Sequence, residues 1–230
     1  MNKIPKKIHY IWFWKWKKPE WFNKILESWR NKCPDYEIIE WNEDNFDISQ
    51  NYYCKKFYDK GMYAFASDYA RIKVLYENWW IYLDTDMEIL KNLDWFLNED
   101  FFIWFQDVFS IWAWIIWSIE KHKFLKNILN IYENKKTRII IPNLITGLLK
   151  KKYNLKKYND NIQKLNNIII YPKHFFYPYA YYEDKKNMII TDKTYTIHHY
   201  DATWLPKIIT NIIFPIIWFF VWIKLRKIKK

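Results

Sequence analysis

Glycine is almost missing from this chain. Only Gly61 and Gly147 occur among 230 residues, where average usage of about 7% would supply about 16. The residue that adopts positive φ without steric cost is therefore nearly unavailable for tight turns and close backbone approaches. No Gly/Ser linker cuts the chain into two domains. Cysteine is scarce as well: Cys33 and Cys54 form no C-x-x-C and have no histidine at metal-ligand spacing. That excludes a disulfide framework and a zinc site, and is the usage expected of two reduced thiols in a cytosolic setting. The start, "MNKIPKKIHYIWF", is basic but has no apolar run long enough for a signal peptide, so a cytoplasmic location is expected.

Tryptophan is abundant instead. There are 16, with an apolar fraction of 51% and a formal net charge of +12. The length suits one domain with a substantial core, with or without an appendage. The positive charge comes mostly from lysines scattered end to end, with runs at 150–152 and in the last seven residues. Such a balance favours anionic partners: nucleotide phosphates, acidic lipid or nucleic acid.

"KIHYIWF" (7–13) has the β-branched and aromatic density of a buried strand. A helix is expected over 21–32, and "CPDYEIIEW" predicts a turn and a second strand over 36–41. Strand, helix, strand in this order argues an α/β sheet with parallel pairing. A helix over 64–78 leads directly into a strand over 81–84, and "FFIWFQ" (101–106) supplies another. Further elements are expected as a helix over 143–151 and short strands over 168–171 and 195–199.

The last segment differs in kind. Residues 208–223 are largely apolar and are followed by Lys224, Arg226, Lys227, Lys229 and Lys230. A spanning helix needs about 20 apolar residues, and Pro215 interrupts this one. The expectation is a domain over 1–206 and, over 207–230, a segment lying in the cytoplasmic leaflet with its lysines on anionic headgroups; a core helix closing the domain is the alternative.

The chemistry concentrates in "YLDTD". Asp84 and Asp86 end a strand, where alternation with period two puts them on the same side. Two carboxylates at the carboxyl edge of a parallel sheet make a hard oxygen site for Mg²⁺ or Mn²⁺ that can also hold a diphosphate. In "FASDYARIKVLYEN", Asp68 and Arg71 are three apart and share a helix face, with Ile72 and Leu75 continuing the buried stripe. The pair is either a structural ion pair joining helix to sheet or a pair facing a cavity and holding sugar hydroxyls.

Four stretches, "IPKKIHYIWF", "SWRNKCPDYEIIEWNEDNFD", "YAFASDYARIKVLYENWWIYLDTDMEILKNLD" and "TYTIHHYDATWL", together resemble the D-x-D glycosyltransferases of family 32, the capsular-polysaccharide and Och1-type mannosyltransferase-like enzymes. The resemblance runs over nearly all of residues 4–205. It implies a GT-A nucleotide-diphospho-sugar transferase fold, with a single mixed, mostly parallel sheet flanked by helices. It also implies a UDP- or GDP-sugar donor, Mn²⁺ or Mg²⁺, retention of anomeric configuration, and a polysaccharide or glycolipid acceptor in bacterial surface glycan synthesis. By the same resemblance, Trp12, with His9 beside it, belongs to the donor base. Asp68 and Arg71 hold the donor sugar. Asp84 orients ribose and sugar hydroxyls and, with Asp86, binds the metal. His198 or His199 supplies a late metal or diphosphate ligand, and Trp204 closes over the diphosphate. The competing class is a non-catalytic basic protein binding nucleic acid or membrane, but the lysines are dispersed rather than striped and no aromatic strand has the spacing of a known RNA module. No nucleic-acid partner is expected.

The two anomalies of composition meet at this point. Where the family has "GGIYLDTD" this chain has Trp79 and Trp80, and Trp14, Trp104, Trp112, Trp114 and Trp117 also stand where Gly or another small residue is natural. Trp12, Trp29, Trp41 and Trp204 stand where tryptophan belongs. The substitution is one-way, as expected if UGA encodes glycine in the source and has been translated as tryptophan. Bulky residues at positive φ would otherwise cost about 1–3 kcal/mol each.

Overall fold

The structure, a computed structural model, describes residues 5–13, 17–78, 80–179 and 183–200. Trp14, Trp79, Trp204 and the whole of 207–230 lie outside the described residues. Nine strands and five α-helices are described: β1 Lys7–Ile11, α1 Glu20–Lys32, β2 Glu37–Trp41, α2 Tyr52–Asp59, α3 Tyr63–Asn78, β3 Trp80–Leu83, β4 Met87–Ile89, β5 Phe101–Trp104, β6 Ile115–Ser118, α4 Lys123–Asn134, α5 Ile141–Tyr153, β7 Gln163–Leu165, β8 Ile168–Tyr171 and β9 Thr196–His198.

Seven strands form the central sheet in the order β2-β1-β3-β6-β5-β8-β7. β1 is parallel to β2 and β3, β6 is antiparallel to β3 and β5, β8 is parallel to β5, and β7 is antiparallel to β8. Following these senses across the sheet, five strands run one way and β6 and β7 run against them. This is a mixed, mostly parallel sheet flanked by helices. Alongside it β4 and β9 form a separate two-stranded antiparallel sheet; β9 lies within the strand expected over 195–199, whereas β4 is too short to announce itself by period.

Strand alternation divides the core into two faces. Ile81 and Leu83, Phe102 and Trp104, Ile115 and Trp117, and Ile169 and Tyr171 point to the side covered by α1 and β4. Tyr82, Phe101, Ile103, Ile116, Ile168 and Ile170 point to the side covered by α2, α3, α4 and α5. Both faces of the sheet are thus dry, which is why these strands read as near-continuous apolar runs. α1 fixes β4: the Trp29 indole donates to the Met87 carbonyl at 2.6 Å, and Ser28 Oγ accepts from the Ile89 amide at 3.1 Å.

Among the described residues the non-glycine positions with positive φ are Lys121, Asn154, Asn166 and Tyr200. None of Trp80, Trp104, Trp112, Trp114 and Trp117 is among them, so backbone strain does not distinguish these positions. Ring centroids stand 4.1 Å apart for Trp104 and Phe176, 4.1 Å for Trp112 and Trp114, and 4.0 Å for Trp114 and His198, just below the roughly 4.5–7 Å usual for aromatic pairs, as do those of the His198–Tyr200 pair at 4.1 Å. Trp117 is 1% exposed and its indole N–H has no hydrogen-bond acceptor among the described residues. By contrast, Trp29 and Trp41 both use theirs.

Candidate active site

Three elements converge at the carboxyl end of β3. The strand stops at Leu83, and the Met87 amide donates back to the Asp84 carbonyl at 3.1 Å, closing a turn over 84–87. This turn, rather than strand alternation, brings the two carboxylates of D-x-D together. It is pinned on both sides: the Asp84 amide donates to the Trp114 carbonyl at 2.7 Å, and the Asp86 carbonyl accepts from the His199 amide at 3.0 Å.

The β4–β9 pairing sets Met87 opposite His198, which delivers the His198 imidazole to the turn. Its Nε2 lies 2.9 Å from Asp86 Oδ1. Asp84, Asp86 and His198 each offer a ligand atom, and these lie within 4.8 Å of one another. Of the two histidines expected here, the structure brings in His198. His199 turns elsewhere: its Nε2 is 2.8 Å from Glu88 Oε2 and its Nδ1 is 3.1 Å from Lys185 Nζ. Adjacent side chains along an extended segment point apart, and here His198 alone of the two faces the carboxylates.

Asp84 is held from behind. The Tyr82 hydroxyl donates to its Oδ1 at 2.5 Å, and Arg71 Nη1 is 3.3 Å from the same oxygen. Tyr82 lies two residues before Asp84 on the same face, a relation visible in "YLD" but not singled out from sequence. Arg71 is 5% exposed. Its Nη2 pairs with Asp68 Oδ1 at 3.2 Å, its Nη1 donates to the Ala113 carbonyl at 2.8 Å, and its guanidinium lies 4.8 Å from the Tyr82 ring centre. The helix-to-sheet ion pair and the D-x-D are therefore one network, in which a single cation sits between two buried carboxylates. Burial pushes the Asp68 carboxyl up to about 7, against the pull of Arg71. Burial also raises Asp84, with Asp86 adding repulsion and Arg71 opposing.

A divalent cation fits the residues present. The donor set is two carboxylates and one imidazole, a hard oxygen pair with a nitrogen, which suits Mn²⁺ or Mg²⁺. Asp84 keeps its Oδ2 comparatively clear, with Arg71 Nη1 3.5 Å away. The buried Nδ1 of His198 has no hydrogen-bond partner among the described residues.

The residues assigned to the base are enclosed. Trp12 is 7% exposed and stacks on Phe22, with centroids 5.5 Å apart. His9 has no exposed surface, and its Nδ1 accepts from the Trp41 indole at 2.5 Å. Burial, helped by Lys7, pushes the His9 imidazole down to about 2, so it is a neutral ring packed in the sheet.

Comparison with known proteins finds similarity to glycosyltransferases. Residues 19–103 match the family model described as a glycosyltransferase sugar-binding region containing the DXD motif; the match includes Asp68, Arg71, Asp84 and Asp86 and ends before His198. An uncharacterized glycosyltransferase of Acanthamoeba polyphaga mimivirus is 27% identical over 217 residues, covering 89% of this chain and 85% of that protein. Among solved structures, PaToxG Glycosyltransferase is similar with a TM-score of 0.54 at 18% identity, over 65% of this chain and 70% of its own. A glycosyltransferase involved in the glycosylation of the major capsid of PBCV-1 has a TM-score of 0.44 at 12% identity, over 84% and 93%. At such identity the likeness to PaToxG is one of fold, and that fold is of GT-A type.

Proposed function

The chain carries a glycosyltransferase sugar-binding region of the D-x-D kind, and from that premise we propose that it is a metal-dependent, retaining hexosyltransferase of the family-32 type. It moves a sugar from a UDP- or GDP-sugar to a glycan or glycolipid hydroxyl. The observation that carries the reading is the meeting of Asp84, Asp86 and His198 within 4.8 Å, from segments 112 residues apart, at the sheet edge where α/β folds bind phosphates.

In this reading Asp86, Asp84 and His198 hold the cation, which when bound supplies Lewis-acid stabilisation of the charge gathering on the departing diphosphate. Asp84 is kept in place by Tyr82 and Arg71, and Asp68 offers its remaining carboxylate oxygen to a sugar hydroxyl. The bond from the anomeric carbon to the diphosphate oxygen breaks, and the acceptor oxygen forms its bond on the same face. The acceptor proton passes to the leaving diphosphate. His199, through its backbone amide, supports Asp86 rather than binding metal, and Trp204 covers the diphosphate. Donor hydrolysis and transfer should require Mn²⁺ or Mg²⁺ and be abolished in Asp86→Asn, since an amide is a poorer, uncharged ligand. Near-normal turnover of that variant in saturating Mn²⁺ would remove Asp86 from the centre.

The same proposal includes attachment to the inner face of the cell membrane by residues 207–230. No helix among the described residues is long and apolar enough to cross a membrane, and this segment lies outside them. Its deletion should abolish salt-sensitive sedimentation with anionic vesicles while keeping donor hydrolysis, because Lys224, Arg226, Lys227, Lys229 and Lys230 act over a screening length of about 8 Å. Vesicle binding by the truncated protein would refute it.

Translation of UGA as glycine is proposed for Trp14, Trp79, Trp80, Trp104, Trp112, Trp114 and Trp117. Its support is the match of these positions to glycine in the family pattern, the close ring contacts of Trp104, Trp112 and Trp114 and the indole N–H groups of Trp104 and Trp117 without an acceptor among the described residues, although the Trp112 indole donates to Ser110 Oγ at 2.9 Å. UGG codons at these positions would end the idea.

A further inference from the structure

Trp114 stands immediately before β6, and both its halves touch the site. Its carbonyl holds the Asp84 amide at 2.7 Å. Its ring lies against the imidazole of His198, with centroids 4.0 Å apart and planes at 30°. Trp112 packs on the same indole at 4.1 Å, Tyr200 at 5.4 Å and Tyr177 at 5.9 Å. With Tyr200 at 4.1 Å and Tyr177 at 5.8 Å from the His198 imidazole, the donor set is nearly closed. His198 is 3% exposed, and the Asp84 and Asp86 side chains keep 17% and 15% of their surface. Trp114 is a partly buried tryptophan at the rim of the core, with its ring laid over the cluster.

We propose that the side chain at position 114 controls access to the Asp84–Asp86–His198 cluster, tryptophan capping it and a small residue opening it. The backbone bond to Asp84 survives any substitution, because it uses the carbonyl of residue 114 alone. Opening the cap therefore leaves the D-x-D turn anchored. The same exchange frees one face of the imidazole and relieves the contact with Trp112. The consequence for ligands rests on the reading of the cluster as a donor site, but the capping itself does not.

Three measurements on the full chain and on Trp114→Gly and Trp114→Ala separate the two. The first is the rate of diethyl pyrocarbonate modification at His198, followed on its peptide by mass spectrometry with His199 as internal reference. The second is Mn²⁺ binding by electron paramagnetic resonance, and the third is UDP and GDP binding by calorimetry in Mn²⁺. The expected result is a several-fold faster modification of His198 relative to His199 in both variants, and tighter Mn²⁺ and nucleotide binding than in the tryptophan chain. Alanine keeps ordinary backbone preferences, so it reports on the cap if the glycine variant fails to fold. An unchanged His198 rate in a variant that melts cooperatively overturns the proposal. Faster modification with no gain in Mn²⁺ or nucleotide binding leaves position 114 as the cap and overturns the donor-site reading instead.

Discussion

Replacing Arg71 with alanine should cost far more stability than an ordinary surface charge. The guanidinium is 5% exposed and lies between Asp68 at 3.2 Å and Asp84 at 3.3 Å, while also serving the Ala113 carbonyl at 2.8 Å. Removing it strips both largely buried carboxylates of their cation and the Ala113 carbonyl of its donor, leaving Asp84 only the Tyr82 hydroxyl. Breaking a buried pair from one side typically costs about 3–5 kcal/mol, a large share of the roughly 5–15 kcal/mol that holds a domain together. The loss should depend on pH. Both carboxyls are already raised by burial, so without Arg71 they take up protons more readily, and the penalty shrinks as pH falls from 8 to 5. It should also be partly recovered in Arg71→Ala/Asp68→Asn, which removes one of the stranded charges. Urea unfolding followed by circular dichroism at the two pH values measures all three quantities. A loss below about 1 kcal/mol, the size of an exposed pair, that is insensitive to pH and to Asp68, would refute the account of Arg71 as the cation shared between helix and sheet.

Two other outcomes follow from the geometry. His198→Ala should weaken Mn²⁺ binding markedly. His199→Ala should leave it within a few-fold and instead destabilise the β4–β9 pair by about 1 kcal/mol through loss of the Glu88 contact; calorimetry and thermal melting distinguish them, and equal metal loss in both would contradict the assignment. Asp68 has a folded-state value of about 7 against an ordinary 3.8, so the folded protein holds its proton where the unfolded chain has lost it. That contribution is complete below about 4 and fades as pH rises through 7, a slope of about 1.4 kcal/mol per pH unit. Asp68→Asn should flatten the slope in urea titrations of ligand-free protein, and an unchanged slope would put the proton elsewhere.

The parts legible in the sequence were those with dense local pattern. Helix α3 and strand β3 fall within a residue of where "YAFASDYARIKVLYEN" and "IYLD" put them, and the Asp68–Arg71 spacing became a real contact. The expected strand over 195–199 contains β9, Thr196–His198. What escaped was of three physical kinds. β4 is three residues long, too few for a period to show. β6 hides inside "IWAWIIWS", where apolar residues fill both faces and erase alternation. Helix α4 begins without a usual cap, its first turn being closed by the His122 ring accepting from the Phe124 amide at 3.3 Å, and α2 is only eight residues long. The choice between His198 and His199 was beyond any local reading, since it is made by the strand opposite. None of the described extra tryptophans has a positive φ, so at those positions the argument for glycine rests on close approach alone, while Trp14 and Trp79 lie outside the described residues.

The β4–β9 pair also sets the order in which the protein becomes competent. Asp86 waits for a partner made 112 residues later, and closing a loop of that length is slow and entropically costly compared with pairing neighbouring elements. β1, β2 and α3 can assemble with β3 while the ribosome is still making the second half of the domain, so the D-x-D turn emerges early as an incomplete centre. Only when the chain has passed His198 and β9 has docked can three donors face one point. On the proposed reading of the cluster as a cation site, a nascent or prematurely terminated chain would carry the signature motif yet lack the third ligand, which would make metal binding a reporter of completed synthesis.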